Sequence, residues 1–472
     1  MNLIKLEDFK KIKGIQFTHF EQIRQALRGP VSINTDSRTI KKGEIFWALR
    51  GDTFDGQRFV KDAAAGGALF AVVQHDFVDK ELAVQFPLMR VPDTLHALHE
   101  LAALHRRRFT LPLIGVTGSN GKTTLKEMIA HILARRLRVH KTEGNFNNHI
   151  GCPLTLLKLS RQHDVAVIEM GTNHPGEINM LTRIGAPNQA IITNIGGAHL
   201  ENFVTVAAIA KEKLTLFDAV PQDGVLYKNL DDPYISAYQR EQITFVDYSL
   251  DKKARVKGRI VSFDEQGCGR FTLNDQTEIQ LKVSGLHNIK NALAAAAVGK
   301  HFGFDDGEIK KALESFMSFS KRMQKLFWRG ATIINDAYNA NPDSMKAAFQ
   351  SLRSMRISGK LFLVLGDMFE LGPAGLQLHR DVLQEALDLN PHKIMVMGRL
   401  MAEARLQLNS ESAGKILHYD DYAGLANDLQ SSLKSGDCVL IKGSRGMTME
   451  KVCNYFSDLN NRPKADGARH VS

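Results

Sequence analysis

The run Thr117-Gly118-Ser119-Asn120-Gly121-Lys122-Thr123-Thr124 puts two glycines, a lysine and two hydroxyls into eight consecutive positions. The apolar "LPLIGV" before it reads as a buried strand. "TTLKEMIAHILARRL" after it reads as an amphipathic helix, with Leu125, Met128, Ile129, Ile132 and Leu133 on one face. Glycines let a backbone close on a phosphate, and the helix start offers unpaired N–H groups and a positive dipole end. Lys122 is then placed to neutralise β- and γ-phosphates, and the Thr123 hydroxyl to ligate magnesium. The spacing is not that of the common G-x-x-x-x-G-K-[ST] loop. Val116 stands where that loop has its first glycine, with Gly115 one residue early and Gly118 two residues late.

Other polar groups follow apolar runs in the same way. Glu169 closes "DVAVIEMG" (164–171), where a carboxylate can hold a metal directly. His199 follows "QAIITNIGG" (189–197); alone it reads as structural, because imidazole is an unusual magnesium ligand. Lys213, in the helical pattern "AIAKEKLTLF", reads from the pattern alone as a solvated surface charge. Further clusters, Asp336–Asn341, Gly366–Glu370 and Lys442–Arg445, also follow strand-like runs. Ligands of open α/β sheets bind outside the carboxyl ends of strands, so these clusters predict one active site between two sheets.

The elements that must hold these groups alternate. A length of 472 residues implies about three domains. Residues 1–110 read as a small α/β unit, with strands in "GEIFWALRG" (43–51), "ALFAVVQ" (68–74) and "PLMRV" (87–91) and a helix around "TLHALHELAALHRRRF". Residues 111–320 alternate strand and helix around the loop, include a polar antiparallel insert at 254–283, and contain the helix "GLHNIKNALAAAAVGKHFG" (285–303). From 321 to 472 the alternation restarts in "ATIINDAYNANP", "KLFLVLGDMFELG", "HKIMVMGR" and "DCVLIKGSRG", and the tail "NRPKADGARHVS" reads as frayed. Alternation of this kind predicts α/β architecture with doubly wound parallel sheets.

Composition narrows the function classes. With 43% apolar and 24% charged residues the chain can build sizeable cores. It has no run of about 18 apolar residues for a membrane span and no secretory leader pattern, so a cytoplasmic protein is expected. The four cysteines lie far apart without a C-x-x-C pair, which favours buried thiols over a disulfide framework or zinc site. The net charge of +10 is scattered apart from "HRRRF" (105–109) and "ARRLR" (134–138). Without an aromatic-interleaved basic stripe, a small polyanionic substrate accounts for it better than nucleic acid.

At this point the residues resemble a known family. "TGSNGKTT" (117–124) matches the ATP loop T-G-[ST]-N-G-K-[ST]-[ST] of the Mur ligases, the ATP-dependent amide-forming enzymes of peptidoglycan synthesis. "NIGGAHLENF" (194–203), "AKEKLTLF" (210–217), "GLHNIKNALAA" (285–295) and "KGSRGMTME" (442–450) also look like family blocks. Five further segments resemble the family branch that joins D-alanyl-D-alanine to UDP-N-acetylmuramoyl-tripeptide. They are "TDSRTIKKGEIFWALRGDTFDGQRFV" (35–60), "GNFNNHIGCPLTLL" (144–157), "EMGTNHPGEI" (169–178), "NDAYNANPDSM" (335–345) and "LGDMFELG" (365–372).

The resemblance implies a three-domain architecture: a UDP-sugar-binding domain at 1–110, a P-loop ATPase-like ATP-binding domain at 111–320, and a Rossmann-like domain at 321–472. Residues Thr117 to Thr124 bind ATP, with Asn288, Arg322 and Asp336 at adenosine, ribose or phosphate. Thr123 and Glu169 serve one magnesium ion, and His199 ligates a second. Lys213, favoured over Lys211 by the fit of "EKLTLF", becomes carbamylated and ligates metal. Lys122, Glu169, His199 and Lys213 form the catalytic set, while Thr35, Asp36, Ser37, Arg38 and Asn147 receive the UDP-sugar substrate. A monomer is expected. The base for the incoming amine stays open among Asp367, Glu370 and His379. Two departures from the family pattern stand out: Gly197 where proline is common, and "FVTVAAI" (203–209) in place of a commoner "FGS" run. The rival readings are another ligase of the superfamily, either the sister enzyme that makes UDP-N-acetylmuramoyl-tripeptide or a folylpolyglutamate synthase, and a simple P-loop ATPase. His199 and Lys213 argue against the ATPase, since phosphate binding needs neither.

Overall fold

Three sheets follow one another along the chain in this computed structural model, which describes residues 4–51, 53–317 and 321–461. The first sheet has five strands in the order Gln16–Phe17, Leu88–Val91, Phe70–Gln74, Glu44–Trp47, Ser32–Asn34, and only the Gln16–Phe17 pairing is antiparallel. The helix Thr94–Arg106 closes this unit, capped by the Asp93 carboxylate on the His96 N–H.

The second sheet has nine strands, and the loop strand Leu113–Thr117 lies between Val165–Glu169 and Gln189–Ile192, parallel to both. Chain order reverses across this strand. The crevice that a reversal leaves at the carboxyl ends is therefore framed by the phosphate loop, Glu169 and the segment leading to His199. The polar insert forms Val256–Phe263, Cys268–Leu273 and Thr277–Ser284, antiparallel as expected, and it extends the parallel sheet because Tyr248 pairs in parallel with Val256.

The third sheet has six strands, parallel except for Gln324–Trp328. Its strand Cys438–Lys442 lies between Ala331–Asn335 and Leu361–Gly366. The same reversal thus gathers the clusters beginning at Asp336, Gly366 and Lys442.

The helix that follows the loop, Lys122–Leu133, buries Leu125, Met128, Ile129, Ile132 and Leu133 completely. It packs on Leu286–His301, whose small Ala294–Ala297 run permits close approach. Burying these side chains is worth roughly 1.5–3 kcal/mol each, so the loop's C-terminal anchor is firmly held. The basic clusters are largely consumed internally. Arg106 donates to the carbonyls of Gly185, Phe109 and Ala186; Arg108 pairs with Asp8, Arg136 with Glu308, and Arg138 with Asp164. All four cysteines are free and buried. No helix among the described residues is long and apolar enough to cross a membrane. Positions 462–472, most of the tail expected to fray, lie outside the described residues.

Two backbone positions show where glycine matters. Gly118 has φ +145, and a Cβ there would collide with Thr193 Oγ1. Val204 does the opposite: it is a β-branched residue at φ +64, largely exposed, at the position where the resembling family commonly has glycine. Val204→Gly is expected to relieve that conformation and raise stability by about 1 kcal/mol. Thermal unfolding checks this, and an unchanged or lower midpoint contradicts it.

Candidate active site

One cavity of ≈ 920 Å³ receives residues from all three clusters of the second sheet and all three of the third. Its lining includes Ser119 to Thr124, Glu169, Asn194 to His199, Asp336, Asn339, Asn341, Phe369, Glu370, Lys442 and Arg445. The clusters expected to meet at the strand ends therefore line one cavity, in the cleft between two sheets.

Its phosphate side is built on the glycine turn. Gly121 takes φ +82 at the start of the helix, where a Cβ would meet the Asn291 amide. The Lys122 ammonium curls back to the carbonyls of Gly118 (2.7 Å) and Ser119 (3.3 Å). Burial pushes its pKa down, and the nearby Arg322 adds to this while Glu169 opposes it. Ser119 exchanges hydrogen bonds with the Gly196 backbone, and the Asn120 N–H donates to Asn194 Oδ1, so the loop is held from the neighbouring strand. The Thr117 side chain is buried beneath the turn, and Thr124 lines the cavity.

Glu169 is almost fully buried. Its Oε1 accepts from Thr123 Oγ1 (3.2 Å) and Asn147 Nδ2 (2.7 Å), whereas Oε2 is buried without a hydrogen-bond partner. A buried carboxylate with one oxygen on a threonine hydroxyl and the other lacking a hydrogen bond fits a magnesium ion. Such ions take one or two carboxylates and complete their shell with water and phosphates. Among the described residues no group of three or more His, Cys, Asp or Glu could hold a metal alone.

The third sheet supplies the opposite wall. Arg322 donates to Thr123 Oγ1 (2.9 Å) while stacking over Tyr338, with its guanidinium carbon 3.9 Å from the ring centre. Asp336 accepts from Lys442 Nζ (2.5 Å) and the Met323 N–H (3.1 Å). Asn341 Nδ2 donates to Asn120 Oδ1 (3.0 Å), and the Gly197 N–H donates to Asp343 Oδ2 (2.8 Å). A proline at 197 would lack that donor, so the departure at this position supports a bond across the cleft. His199 hydrogen-bonds the Glu370 carboxylate through Nδ1, which holds Glu370 below the usual carboxylate range. Asn288 lines the cavity with its amide on the Ser284 carbonyl. His287 beside it is pushed down to about 4 by burial and so stays neutral.

The pattern-based placement of Lys213 on the solvated surface is overturned. Helix Val206–Asp218 turns Lys211 outward and Lys213 inward, where only 1% of it is exposed. Burial pushes its pKa well below the ordinary lysine range, and the nearby Lys122 charge pushes the same way. It forms no hydrogen bond or ion pair with another described residue and sits behind the cavity wall. Thr35, Asp36, Ser37 and Arg38 lie apart from this cavity, at the end of strand Ser32–Asn34, where Arg38 holds the Asp36 carboxyl down to about 2. Asn147 stands at Glu169 rather than beside that segment.

Two residues in or beside the site escaped the sequence reading, Asn291 and Lys126. Asn291 lies one helical turn beyond Asn288, a spacing that could have flagged it. Lys126 carries no local signal, because its partner Glu169 is remote in sequence, whereas Asn341 closes the Asp336–Asn341 cluster that follows a strand-like run.

With this geometry in hand, comparison with known proteins is direct. Residues 116–299 match the Mur ligase middle domain, 321–445 the Mur ligase glutamate ligase domain, and 31–106 the Mur ligase family catalytic domain. A UDP-N-acetylmuramoyl-tripeptide–D-alanyl-D-alanine ligase of Bacillus subtilis (strain 168) is 36% identical over 434 residues, covering 89% of this chain and 92% of that protein. The chain belongs to the Mur ligase family. A crystal structure of MurF from Acinetobacter baumannii superposes with a TM-score of 0.81 at 31% identity, over 94% of this chain and 99% of that one. MurF ligase from Thermotoga maritima, solved in complex with ADP, gives 0.78 at 26% identity over 90% and 97%. The three-domain Mur ligase fold is thus the fold of this chain.

The structure also separates the three residues left open as bases. Asp367 caps the helix Arg399–Leu406 through the N–H groups of Leu400 and Met401. His379 is fully buried, with Nε2 accepting from the Met368 N–H and Nδ1 donating to the Gly375 carbonyl. Glu370 alone lines the cavity. His379→Ala should therefore lower stability by about 1–3 kcal/mol, the price of two stranded backbone groups, whereas Glu370→Gln should stay within about 0.5 kcal/mol of wild type. Denaturant unfolding of both variants checks the contrast, and equal losses contradict it.

Proposed function

We propose that this chain joins D-alanyl-D-alanine to UDP-N-acetylmuramoyl-tripeptide with ATP, giving the UDP-N-acetylmuramoyl-pentapeptide, ADP and phosphate. The observation that carries this reading is the convergence of the phosphate loop, Glu169, His199 and the third-sheet wall on one cavity, in a chain of Mur ligase fold. The work is that of cell-wall synthesis and belongs in the cytoplasm, where nucleotide-linked precursors are made. The chain has no transmembrane role in this reading, and it works as a monomer.

A carboxylate is a poor acyl donor. The terminal carboxylate of the tripeptide attacks the γ-phosphorus of ATP, releasing ADP and leaving an acyl phosphate. Lys122 leaves its own loop carbonyls for the β- and γ-phosphates, and the loop amides from Gly118 to Thr124 hold the polyphosphate. Asn288 and Asn291 face the nucleoside, while Arg322 and Asp336 close on it from the third sheet. Thr123 and Glu169 would hold one magnesium ion; His199 and a carbamylated Lys213 would hold a second. When bound, these ions supply charge stabilisation for the transferred phosphoryl group. A lysine amine reacts with carbon dioxide only when unprotonated, and burial of Lys213 shifts it toward that form. The dipeptide amine, deprotonated, then attacks the acyl carbon, and phosphate leaves. The wall carrying Phe369, Glu370 and Arg445 excludes water from the acyl phosphate. Ser37 and Arg38, with Thr35 and Asp36, receive the UDP end of the substrate on the first domain, and Asn147 orders the cleft end beside Glu169.

Phosphate release measured with UDP-N-acetylmuramoyl-tripeptide, D-alanyl-D-alanine and ATP, each omitted in turn, tests the assignment. Release is expected only with all three. Release without the dipeptide, or with a single amino acid or glutamate in its place, overturns it. Lys213→Ala is expected to lose activity by about two orders of magnitude or more, partly restored by short added carboxylates. Full activity in the plain variant contradicts the carbamate role.

A further inference from the structure

Lys126 lies one helical turn beyond Lys122, and its side chain has no exposed surface. Its ammonium donates to the Thr142 carbonyl (2.6 Å) and pairs with Glu127 (3.1 Å). It also stands 3.8 Å from the Oε2 atom of Glu169, the oxygen that has no hydrogen-bond partner. Glu127 in turn pairs with Lys141. Lys126, Lys141, Glu127 and Glu169 thus form a charge-balanced quartet that runs from Glu169 at the cavity, through the buried Lys126 and Glu127, to the partly exposed Lys141. On the cavity side of Glu169 two further cations converge, Lys122 and Arg322, beside Thr123.

A divalent cation approaching Glu169 without a nucleotide therefore meets one carboxylate among several positive groups. Lys126 lies outside the cavity lining, so it can touch no substrate. We propose that Lys126 is a positioning residue whose fixed charge behind Glu169 keeps the carboxylate from holding a divalent cation alone, so that the cation enters only with a polyphosphate. The proposal rests on Glu169 being the metal carboxylate. A polyphosphate brings enough negative charge to reverse the local balance, and the repulsion from Lys126 is then outweighed. Coulomb interactions at this separation are strong even at the effective dielectric of a protein interior, so removal of the charge has a readable effect.

Binding of Mn²⁺ to the full-length protein, followed by electron paramagnetic resonance with and without ADP, tests this apart from turnover. The wild-type protein should bind Mn²⁺ weakly alone and tightly with ADP. Lys126→Met should bind Mn²⁺ without nucleotide at least about tenfold more tightly, and Lys126→Arg should behave as wild type. Glu127→Gln, which leaves the quartet with excess positive charge, should weaken Mn²⁺ binding to the ADP complex severalfold. A folded Lys126→Met protein with wild-type Mn²⁺ affinity in the absence of ADP overturns the proposal. If Lys126→Met does not fold, unchanged affinity in Glu127→Gln overturns it. Glu169→Gln separates the two layers: if its ADP complex keeps wild-type Mn²⁺ affinity, the assignment of Glu169 itself is wrong. If that affinity is lost while the Lys126 and Glu127 variants stay at wild type, only the role of Lys126 fails.

Discussion

A single buried carboxylate organises the charge of this molecule. Glu169 ends a strand at the sheet's reversal point with almost no exposed surface, one oxygen engaged by Thr123 and Asn147 and the other without a hydrogen bond. Burying such a group is unfavourable unless charge or hydrogen bonds compensate it. Here compensation comes from Lys126 behind and from the loop in front. The phosphate loop, the helix that anchors it and the segment carrying Asn147 all have to meet around this one group.

The third sheet then completes what the second begins. Arg322 reaches Thr123, Asn341 reaches Asn120, Asp343 receives the Gly197 N–H, and Glu370 meets His199 while its carbonyl accepts the Glu201 N–H. These are hydrogen bonds between loops and helix starts that follow strand ends. Polar contacts of this kind suit a cleft that opens for large substrates and closes over a reactive intermediate, because each is worth only about 0.5–1.5 kcal/mol net.

Much of this was legible in the sequence, for particular reasons. The loop, its strand and its helix are local patterns, and the buried face from Leu125 to Leu133 follows from helical period alone. The six polar clusters were found because strand ends in α/β sheets share an edge. What escaped detection depends on long-range packing. Lys213 sits in a pattern that allows either face of its helix, and only the neighbouring helix Glu177–Gly185 and the phosphate loop decide that it turns inward. Lys126 looks like any helical lysine until Thr142 and Glu169 are brought beside it. Asp367 follows a strand end and His379 lies in the helix Gly375–Leu387 after it, and both read as chemistry, yet they satisfy backbone groups inside the third domain.

The central claim is that the cavity transfers a phosphoryl group to the substrate carboxylate before the amide forms. The most direct measurement uses UDP-N-acetylmuramoyl-tripeptide labelled with oxygen-18 in its terminal carboxylate. Mass analysis of the products of complete turnover with D-alanyl-D-alanine and ATP should find one labelled oxygen in each phosphate released and none in ADP. Phosphate without label would contradict the acyl phosphate, and with it this account of the site.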